Sequence, residues 1–305
     1  MKTIRIHFCD MWGHGPYQFN PEDNFFTDLF SLRYKVVLDP VTPDVLVYSC
    51  FGLEHHKYRC FKIFFSGENI PNPNPSIKVN PDYSECNISL TKLSSSDANL
   101  YFPLWVLFIN WFSKYQPRPL PSNPTYLTAI TDITEKAAQR SLRGFDSRGE
   151  ILFINNNFVK DRVMLFLDLQ KYVAVDSYGQ LFTNVERPLR GSELDKHKLL
   201  LRYKTTIAFE NSHYPGYNTE KIIQPYAAGC IPIYSGGLDE KVFNKAALIY
   251  AAKYSSRQAL VERIFDVCND SSLWESIMNE PLFVANTIPY YLRPEFILEW
   301  IRDRM

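Results

Sequence analysis

Short apolar runs alternate along the chain with polar, helix-length segments. In the first half a helix is predicted over Asp23–Leu32, and apolar runs predict strands over Thr3–Phe8, Lys35–Leu38, Asp44–Ser49 and Lys62–Phe65. Several of these runs are almost wholly apolar, which is typical of parallel strands covered by helices on both faces. The first half is therefore predicted to be an α/β domain.

The second half shows the same rhythm more clearly. Its pattern predicts, in chain order, strand Glu150–Ile154, helix Lys160–Lys171, strand Tyr172–Val175, helix Ser192–Tyr203, strand Thr205–Phe209, helix Thr219–Ala228 and strand Cys230–Tyr234. Gly229 follows the last of these helices, where glycine commonly ends a helix. Strands and helices that alternate in this way predict a doubly wound α/β sheet.

Proline-rich segments punctuate the middle of the chain. They lie at 70–75 and 116–125, and a helix rich in aromatic residues is predicted between them, after Pro103. The second segment has the composition of a connector between domains. We expect two Rossmann-like domains facing across a cleft, an N-terminal domain over 1–145 and a C-terminal one over 146–290. A final helix within 291–305 is expected to pack on either domain.

Composition narrows the function classes. The 305 residues carry 33 cationic and 33 anionic side chains, a net charge of zero, which argues against a general nucleic-acid binder. The six cysteines are scattered without a CxxC pair and favour reduced core thiols of a cytosolic protein. The N-terminus is predicted to be a strand and not a signal peptide, and the apolar stretch 100–112 is too short to span a bilayer. We expect a cytoplasmic protein with at most peripheral contact with the inner membrane surface.

The most informative segment joins the predicted strand ending at Phe209 to the helix starting near Thr219. It reads Phe-Glu-Asn-Ser-His-Tyr-Pro-Gly-Tyr-Asn-Thr-Glu-Lys over 209–221. Ligands of open α/β sheets bind at such carboxyl ends of strands. The helix dipole disfavours Lys221 in the first turn unless an anion binds there. The alternative interpretation is a solvated, capped helix start with an incidental lysine.

This segment resembles the signature of the α1,3/4-fucosyltransferases, family 10 of the glycosyltransferases. Members of that family combine Phe-Glu-Asn-Ser, a short loop, Tyr-x-Thr-Glu-Lys, a helix and Gly-x-(Ile/Val)-Pro-(Ile/Val). Every part is present over 209–236, ending in Gly-Cys-Ile-Pro-Ile-Tyr-Ser-Gly. Pro225 within the helix is a departure and is expected to kink or shorten it.

Other segments carry the resemblance over roughly 3–255. The stretch from Asn155 to Arg162 resembles the family's strand–loop–helix whose arginine contacts the donor phosphates. The sequence Val-Asp-Ser-Tyr-Gly at 175–179 resembles the loop near the guanosine. In the first half, Phe-Ser-Gly-Glu-Asn at 65–69 resembles the turn whose glutamate is regarded as the catalytic base, and Asp-Met-Trp-Gly at 10–13 resembles the family's tryptophan loop.

The resemblance implies the GT-B fold and an inverting transfer of L-fucose from GDP-β-L-fucose to an oligosaccharide or glycoconjugate, as in Lewis-type antigens. The implied acceptor atom is O3 of GlcNAc or of Glc, with O4 left open. The implied base is Glu68, and the implied acceptor contacts are Trp12 and Asn69. The implied donor-binding residues are Asn155, Arg162, Ser177, Tyr178, Gly179, Asn211, Tyr217, Thr219, Glu220 and Lys221.

The chemistry of glycosyl transfer fits these residue types. The leaving pyrophosphate must be neutralised and the acceptor hydroxyl deprotonated. The sequence contains no Asp-x-Asp, the pattern with which many glycosyltransferases bind a metal. Arg162, Lys221 and the helix at Thr219 are therefore expected to neutralise the phosphates, and no cofactor or essential metal is expected. Glu220 is placed to accept hydrogen bonds from sugar or ribose hydroxyls.

Three alternatives remain at this point. As a lone observation Glu68 is a solvated loop glutamate, and Asp10 or the histidines 55, 56 and 213 are other candidate bases. A GT-B transferase that uses another nucleotide sugar would keep the phosphate argument. A carbohydrate-binding protein without turnover would use the aromatic loops around Trp12 and Trp105.

Overall fold

The computed structural model describes residues 1–13, 19–69, 84–112, 127–134, 144–189 and 193–305. These residues form two compact units. The first holds the described residues of Met1–Leu107, Trp111–Asn123 and Pro289–Met305, and the second those of Phe108–Asn110 and Pro124–Ile288. The short segments near 108 and 128, placed with the N-terminal domain from the sequence, thus belong to the second unit.

The first unit is built on a six-stranded parallel sheet. Its strands are β1 (Lys2–Cys9), β2 (Tyr34–Leu38), β3 (Val45–Tyr48), β4 (Phe61–Phe65), β5 (Ile88–Thr91) and β6 (Asn99–Tyr101). They lie in the order β2-β1-β3-β4-β5-β6, and every residue of β3 is buried. Complete burial explains why β3 is apolar throughout and does not alternate.

Two helices pack together in this unit. Helix α1 (Phe25–Ser31) begins after Asn24, whose side chain accepts hydrogen bonds from the backbone N–H groups of Phe26 and Thr27. The C-terminal helix α8 (Pro294–Arg302) begins with a proline and contacts α1. The C-terminal helix therefore belongs to the first unit, a choice that the sequence had left open.

The second unit holds a five-stranded parallel sheet and a separate parallel pair. The sheet contains β9 (Gly149–Phe153), β10 (Val175–Ser177), β11 (Tyr203–Phe209), β12 (Ile231–Ser235) and β13 (Ile249–Tyr250) in the order β10-β9-β11-β12-β13. The pair is β7 (Ile109–Asn110) with β8 (Thr128–Ala129). The helices are α2 (Ile130–Thr134), α3 (Lys160–Leu169), α4 (Glu193–Leu200), α5 (Glu220–Ala227), α6 (Arg257–Asn269) and α7 (Ser271–Met278).

Successive residues of β9 face opposite sides of this sheet. Ile151 and Phe153 pack in the core beside α3, α6 and α7, whereas Leu152 packs in a second core with Leu199 and Leu200 of α4. The sheet is thus covered on both faces, which explains its apolar strands. The predicted α/β fold with parallel sheets is confirmed.

Both sheets follow one topology. In each of the two large sheets the first strand along the chain lies between the second and the third, so the chain reverses direction across the sheet between β1 and β3 and again between β9 and β11. Such a reversal leaves a crevice at the carboxyl ends of the two central strands, where open α/β sheets bind ligands. The residues that follow β1, β3, β9 and β11 therefore lie beside the two crevices.

The structure differs in local detail from the elements predicted from the sequence. The strand predicted over Tyr172–Val175 lies instead at β10, and the helix predicted after Pro103 is only a 3-10 segment over Leu104–Phe108. Helix α5 tolerates Pro225 and ends at Ala227, and Gly229 follows it in the left-handed conformation with a φ of 66°. All six cysteines are free thiols. Within the described residues no helix is both long and apolar enough to cross a membrane.

Candidate functional site

A buried arginine connects the carboxyl ends of β9 and β11. The guanidinium of Arg162, on α3, is 5% exposed. Its Nη1 donates to Asn155 Oδ1, which follows β9, over 3.1 Å, and its Nη2 donates to Asn211 Oδ1, which follows β11, over 3.0 Å. The same Nη2 also donates to the carbonyl of Phe209. One cation thus lies at the topological reversal, and the hydrogen bonds that it donates to described residues go to neutral oxygens.

Two donors of this cluster have no acceptor among the described residues. They are Asn155 Nδ2 and Arg162 Nε, and both are buried. Buried donors are nearly always satisfied in folded proteins, so these two unsatisfied donors need acceptor atoms from a water molecule or a ligand. Burial lowers the pKa of Arg162, opposed by Glu210 and Glu220, so the charge is held there at a cost in solvation that an anion would offset.

A close approach of two loops shapes the same end of the sheet. A side chain at Gly179 would overlap the backbone N and O of Asn155. Leu181 N–H donates to Asn155 O over 3.0 Å, and Ser177 N–H donates to Asn184 Oδ1 over 2.7 Å. Gly179 and Ser177 therefore position the loop after β10 against Asn155. The hydroxyl of Tyr178 accepts from that of Tyr203 over 3.1 Å.

The start of α5 is fixed by a buried carboxylate. Thr219 caps the helix, and its N–H and hydroxyl both donate to Glu210, over 2.9 Å and 2.8 Å. The hydroxyl of Tyr234 donates to Glu210 as well, over 3.2 Å. Burial raises the pKa of Glu210, and the neighbouring ammonium of Lys221 opposes this rise. Glu210 thereby ties the end of β11 to the first turn of α5.

The first turn of α5 carries an ion cluster. Lys221 Nζ lies 3.4 Å from Glu210 and 3.4 Å from Glu220, and Lys196 of α4 lies 3.2 Å from Glu220. Burial disfavours the charge on Glu220, but Lys221 and Lys196 outweigh it and hold the pKa of this carboxyl well below its usual range. The cluster therefore presents charged Glu220 and charged Lys221 at a helix N-terminus.

The loop between Asn211 and Thr219 is anchored internally. Gly216 adopts a φ of 77°, which favours glycine, and Tyr217 is 7% exposed. Asn218 Nδ2 donates to the hydroxyl of Tyr234 over 2.9 Å and to the carbonyl of Gly237 over 3.1 Å. The whole signature segment is thus a fixed structure, as a preformed binding site requires.

The structure gathers the predicted donor residues at one edge of the second sheet. Arg162 contacts Asn155 and Asn211 directly, and Thr219, Glu220 and Lys221 form the helix start that Glu210 joins to β11. Tyr217 lies in the loop before that helix, Ser177 ends β10, and Tyr178 and Gly179 lie in the loop that packs on Asn155.

The residues predicted in the first unit lie at the carboxyl edge of its own sheet. Glu68 follows β4 and is half-buried, with its N–H donating to Ser66 Oγ over 3.1 Å. Asn69 is buried, and the Trp12 ring lies 6.3 Å from that of Phe65, at the end of β4. The glycine before Glu68 is not left-handed. Gly67 instead has the side chain of Leu104 against it, so close packing favours glycine there.

Asp10, the other candidate base, has a structural role. Its carboxylate is 2% exposed, accepts from the backbone N–H groups of Glu54 and His55 over 2.9 Å and 3.0 Å, and pairs with His55 Nδ1 at 2.7 Å. His56 pairs with Glu85, and His213 with Ser235. The half-buried Glu68 is the more accessible carboxylate of the two.

Two family models match the chain. The N-terminal domain of α-(1,3)-fucosyltransferases matches residues 6–108, and the C-terminal domain of the fucosyltransferases of glycosyltransferase family 10 matches 149–279. The chain belongs to glycosyltransferase family 10. The family that the sequence motifs predicted is therefore confirmed.

Curated family relatives share part of this chain. α-(1,3)-Fucosyltransferase B of Drosophila melanogaster is 28% identical over 198 residues, 59% of this chain and 44% of its own length. GDP-fucose protein O-fucosyltransferase 3 of Xenopus tropicalis is 36% identical over 98 residues, 29% of this chain and 21% of its own length. The chain thus spans less than half of the length of each of these relatives.

A solved structure shares the fold. The crystal structure of an α1,3-fucosyltransferase with GDP-fucose aligns with a TM-score of 0.73 and 19% identity, covering 99% of this chain and 90% of that one. The predicted GT-B class of two Rossmann-like units is therefore confirmed.

Sequence reasoning about this family 10 chain missed two charged residues of the cluster. Glu210 lies inside the quoted signature, directly after a wholly buried strand, and a charge in that position was a usable signal. Lys196 gave no signal, because its partner Glu220 lies on another helix, far along the chain.

Proposed function

We propose that this family 10 protein is an inverting fucosyltransferase that moves L-fucose from GDP-β-L-fucose to a hydroxyl of an oligosaccharide acceptor. The observation that carries the proposal is the Arg162 cluster, a buried cation with two unsatisfied donors at the reversal between β9 and β11. Phosphate oxygens are the acceptors that such a cluster lacks.

The donor phosphates are neutralised by protein cations. Arg162 Nε and Asn155 Nδ2 donate to the pyrophosphate, and Lys221 with the N-terminus of α5 supplies further positive charge. Negative charge grows on GDP as the glycosidic bond breaks, so these groups stabilise the transition state more than the bound donor. Because side chains meet this need, a divalent metal is not essential.

Charged Glu220 positions the donor. A carboxylate accepts hydrogen bonds from two hydroxyls at once, and its low pKa keeps it ionised throughout the physiological range. Glu220 therefore binds vicinal hydroxyls of the ribose or of fucose. Tyr178 and Gly179 lie in the loop that contacts the guanosine.

The general base is Glu68. Inversion requires the acceptor hydroxyl to attack the face of fucose opposite the GDP, and a carboxylate must take its proton as the bond forms. Glu68 is half-buried and follows a buried strand, a setting that fixes its backbone while leaving the carboxylate reachable. Trp12 and Asn69 contact the acceptor on this side.

The acceptor atom is O3 of GlcNAc or of Glc. One relative's name gives an α-(1,3) linkage. Another relative's name gives a protein acceptor, and this supports a hydroxyl of a protein side chain as a second candidate.

A product analysis tests the proposed function. The protein is incubated with GDP-fucose, GDP-mannose or UDP-galactose and with oligosaccharide or glycoprotein acceptors, and products are characterised by mass and NMR. We expect an α-fucosylated product from GDP-fucose alone, since inversion of a β-linked donor gives an α-linkage. A β-linked product would exclude the inverting mechanism, and transfer of another sugar would exclude the donor.

A further inference from the structure

Lys196 lies outside the short motifs quoted for family 10, although within the stretch that the C-terminal family model matches, and it contacts a residue of one of those motifs. Its Nζ lies 3.2 Å from Glu220 Oε1 and 3.6 Å from Glu193 Oε2, and its side chain is 19% exposed. Glu193 is one turn earlier on α4, whereas Glu220 starts α5. Lys196 thus extends from α4 and places a positive charge beside the first turn of α5.

Without Lys196, the first turn of α5 would lack one positive charge. Lys221 lies at equal distance from Glu210 and Glu220, 3.4 Å from each. Two carboxylates sharing one ammonium would leave excess negative charge where the donor phosphates are proposed to bind. Lys196 and Lys221 both contact Glu220 Oε1, so Lys196 compensates part of the charge of this carboxylate and leaves more of the positive potential of Lys221 for a ligand.

The position of Lys196 is fixed by a second contact. Gln224 Nε2, one turn further along α5, donates to Glu193 Oε2 over 2.9 Å, and Gln224 is 4% exposed. Glu193 therefore holds Lys196 in place while being held by α5 itself. The charged groups that act on the Glu220 and Lys221 pair include Lys196 of α4, Arg162 of α3 and Glu210 after β11, whereas Glu193 acts on Lys196.

We propose that Lys196 is a positioning residue for the donor site, which fixes Glu220 for hydrogen bonding to donor hydroxyls and keeps Lys221 available for the phosphates. It acts through these two residues. The inference rests on the proposed function, because it assigns the cluster to a GDP-linked donor.

The variant Lys196→Met removes the charge and retains an unbranched side chain of similar length. Lys196→Arg keeps the charge, and Lys198→Met is the matched control. Lys198 is on the same helix and pairs with Asp195 at 3.5 Å, also three residues earlier, but its side chain is 63% exposed. Calorimetry should show GDP affinity about tenfold lower for Lys196→Met, mostly recovered in Lys196→Arg and unchanged in Lys198→Met.

A second readout separates positioning from a merely structural role. The carboxyl of Glu220 is titrated by carbon NMR in the free protein, where Lys196→Met should raise its pKa because one of its two cations is lost. Weaker GDP binding with an unchanged Glu220 pKa would overturn the inference, as would wild-type GDP affinity in a folded Lys196→Met protein. If Lys196→Met does not fold, Glu193→Gln, which frees Lys196 from its anchor, must lower GDP affinity instead. Should the wild-type protein fail to bind GDP, the proposed function is wrong, and a shift in the Glu220 pKa would then support only the ion pair.

Discussion

The two sheets share a strand order, yet their reversal points hold opposite chemistry. In the second unit Arg162 joins the residues after β9 and β11 and leaves two buried donors without described partners. In the first unit Asp10 follows β1 and accepts hydrogen bonds from Glu54 and His55. The reversal point of the second unit holds a cation and two donors that no described residue satisfies. The reversal point of the first unit holds a carboxylate that already accepts hydrogen bonds from the protein.

The comparison shows that topology offers a crevice but does not decide what fills it. The crevice after β9 and β11 requires acceptors from outside the described protein, and this favours a phosphate-bearing ligand. At the crevice after β1 and β3, backbone N–H groups of the loop and the His55 ring already bind the carboxylate of Asp10. The candidate base of the first unit therefore lies elsewhere, after β4, where Glu68 is half-buried.

The largest expected effect concerns Glu68. Glu68→Gln keeps the shape but cannot take a proton, so turnover should fall by about 10²–10⁴-fold while GDP affinity stays unchanged. The control is Glu54→Gln, whose side chain is 61% exposed and pairs with Lys57. Steady-state kinetics and calorimetry measure the two quantities. Near-normal turnover would assign the base to another group, and joint loss of turnover and GDP binding would make Glu68 structural.

The cations of the second unit come next. Lys221→Ala and Arg162→Ala each remove charge-assisted hydrogen bonds to the phosphates, and each should cost about 1.5–3 kcal/mol of GDP binding. Because Arg162 also bonds Asn155 and Asn211, Arg162→Lys serves as a milder variant that keeps the charge. Lys171→Ala, at the exposed end of α3, is the control. Unchanged GDP affinity in folded Lys221→Ala and Arg162→Lys would refute the phosphate role.

Substitutions at Gly179 and Gly144 test whether the position of Asn155 is required for GDP binding. A Cβ at Gly179 would overlap the backbone of Asn155, whereas one at Gly144 would meet nothing within 4 Å. Gly179→Ala should displace Asn155 and weaken GDP binding about tenfold, at a stability cost of about 1–3 kcal/mol. Gly144→Ala should leave the affinity for GDP unaltered. Equal GDP affinities in calorimetry would mean that the Asn155 position is not needed for the ligand.

The smallest effect on the ligand is expected from Asp10→Asn. Hydrogen bonds from Glu54, His55 and Cys9 outweigh the effect of burial and lower the pKa of Asp10. A carboxyl with a lowered folded-state pKa stabilises the fold above about pH 4, and this stabilisation is lost as the pH falls further. Asp10→Asn should therefore lower the free energy of unfolding near neutral pH by about 1.5–3 kcal/mol, with the difference shrinking in acid.

Two measurements on Asp10→Asn check the comparison between units. Denaturant unfolding across pH should show the loss described, and exposed Asp97→Asn should show none. GDP affinity should equal that of the wild-type protein, since Asp10 belongs to the first unit. A marked loss of GDP affinity with the fold intact would contradict the assignment of the donor site to the second unit alone.

Much of the fold was predictable because the central strands of both sheets are buried on two faces. Apolar runs such as Thr205–Phe209 and Cys230–Tyr234 had no competing interpretation, and Gly229 marked the end of α5. The weaker predictions lie where the periodicity is short. The 3-10 segment after Pro103 has the composition of a helix, but it is 5 residues long and is followed directly by β7.

The sequence identified the candidate site as separate segments but not the contacts between those segments. The segment 209–221 is one strand end, one loop and one helix start, so Asn211, Tyr217 and Lys221 were identified together. The partnership of Arg162 with Asn211 and that of Lys196 with Glu220 join separate elements and depend on how the helices pack. The unsatisfied donors on Asn155 and Arg162 likewise depend on the three-dimensional structure, since asparagine and arginine find hydrogen-bond acceptors within the protein in many folds.

The central claim is that protein cations at the end of β9 and β11 bind the GDP part of the donor without a metal. Calorimetric titration of the wild-type protein with GDP and with UDP, in excess EDTA, tests it most directly. We expect one GDP site per chain, with tighter binding than for UDP and with an affinity for GDP that is unchanged when Mn²⁺ replaces EDTA. Absence of GDP binding, equal binding of UDP or binding that appears only with Mn²⁺ would contradict it.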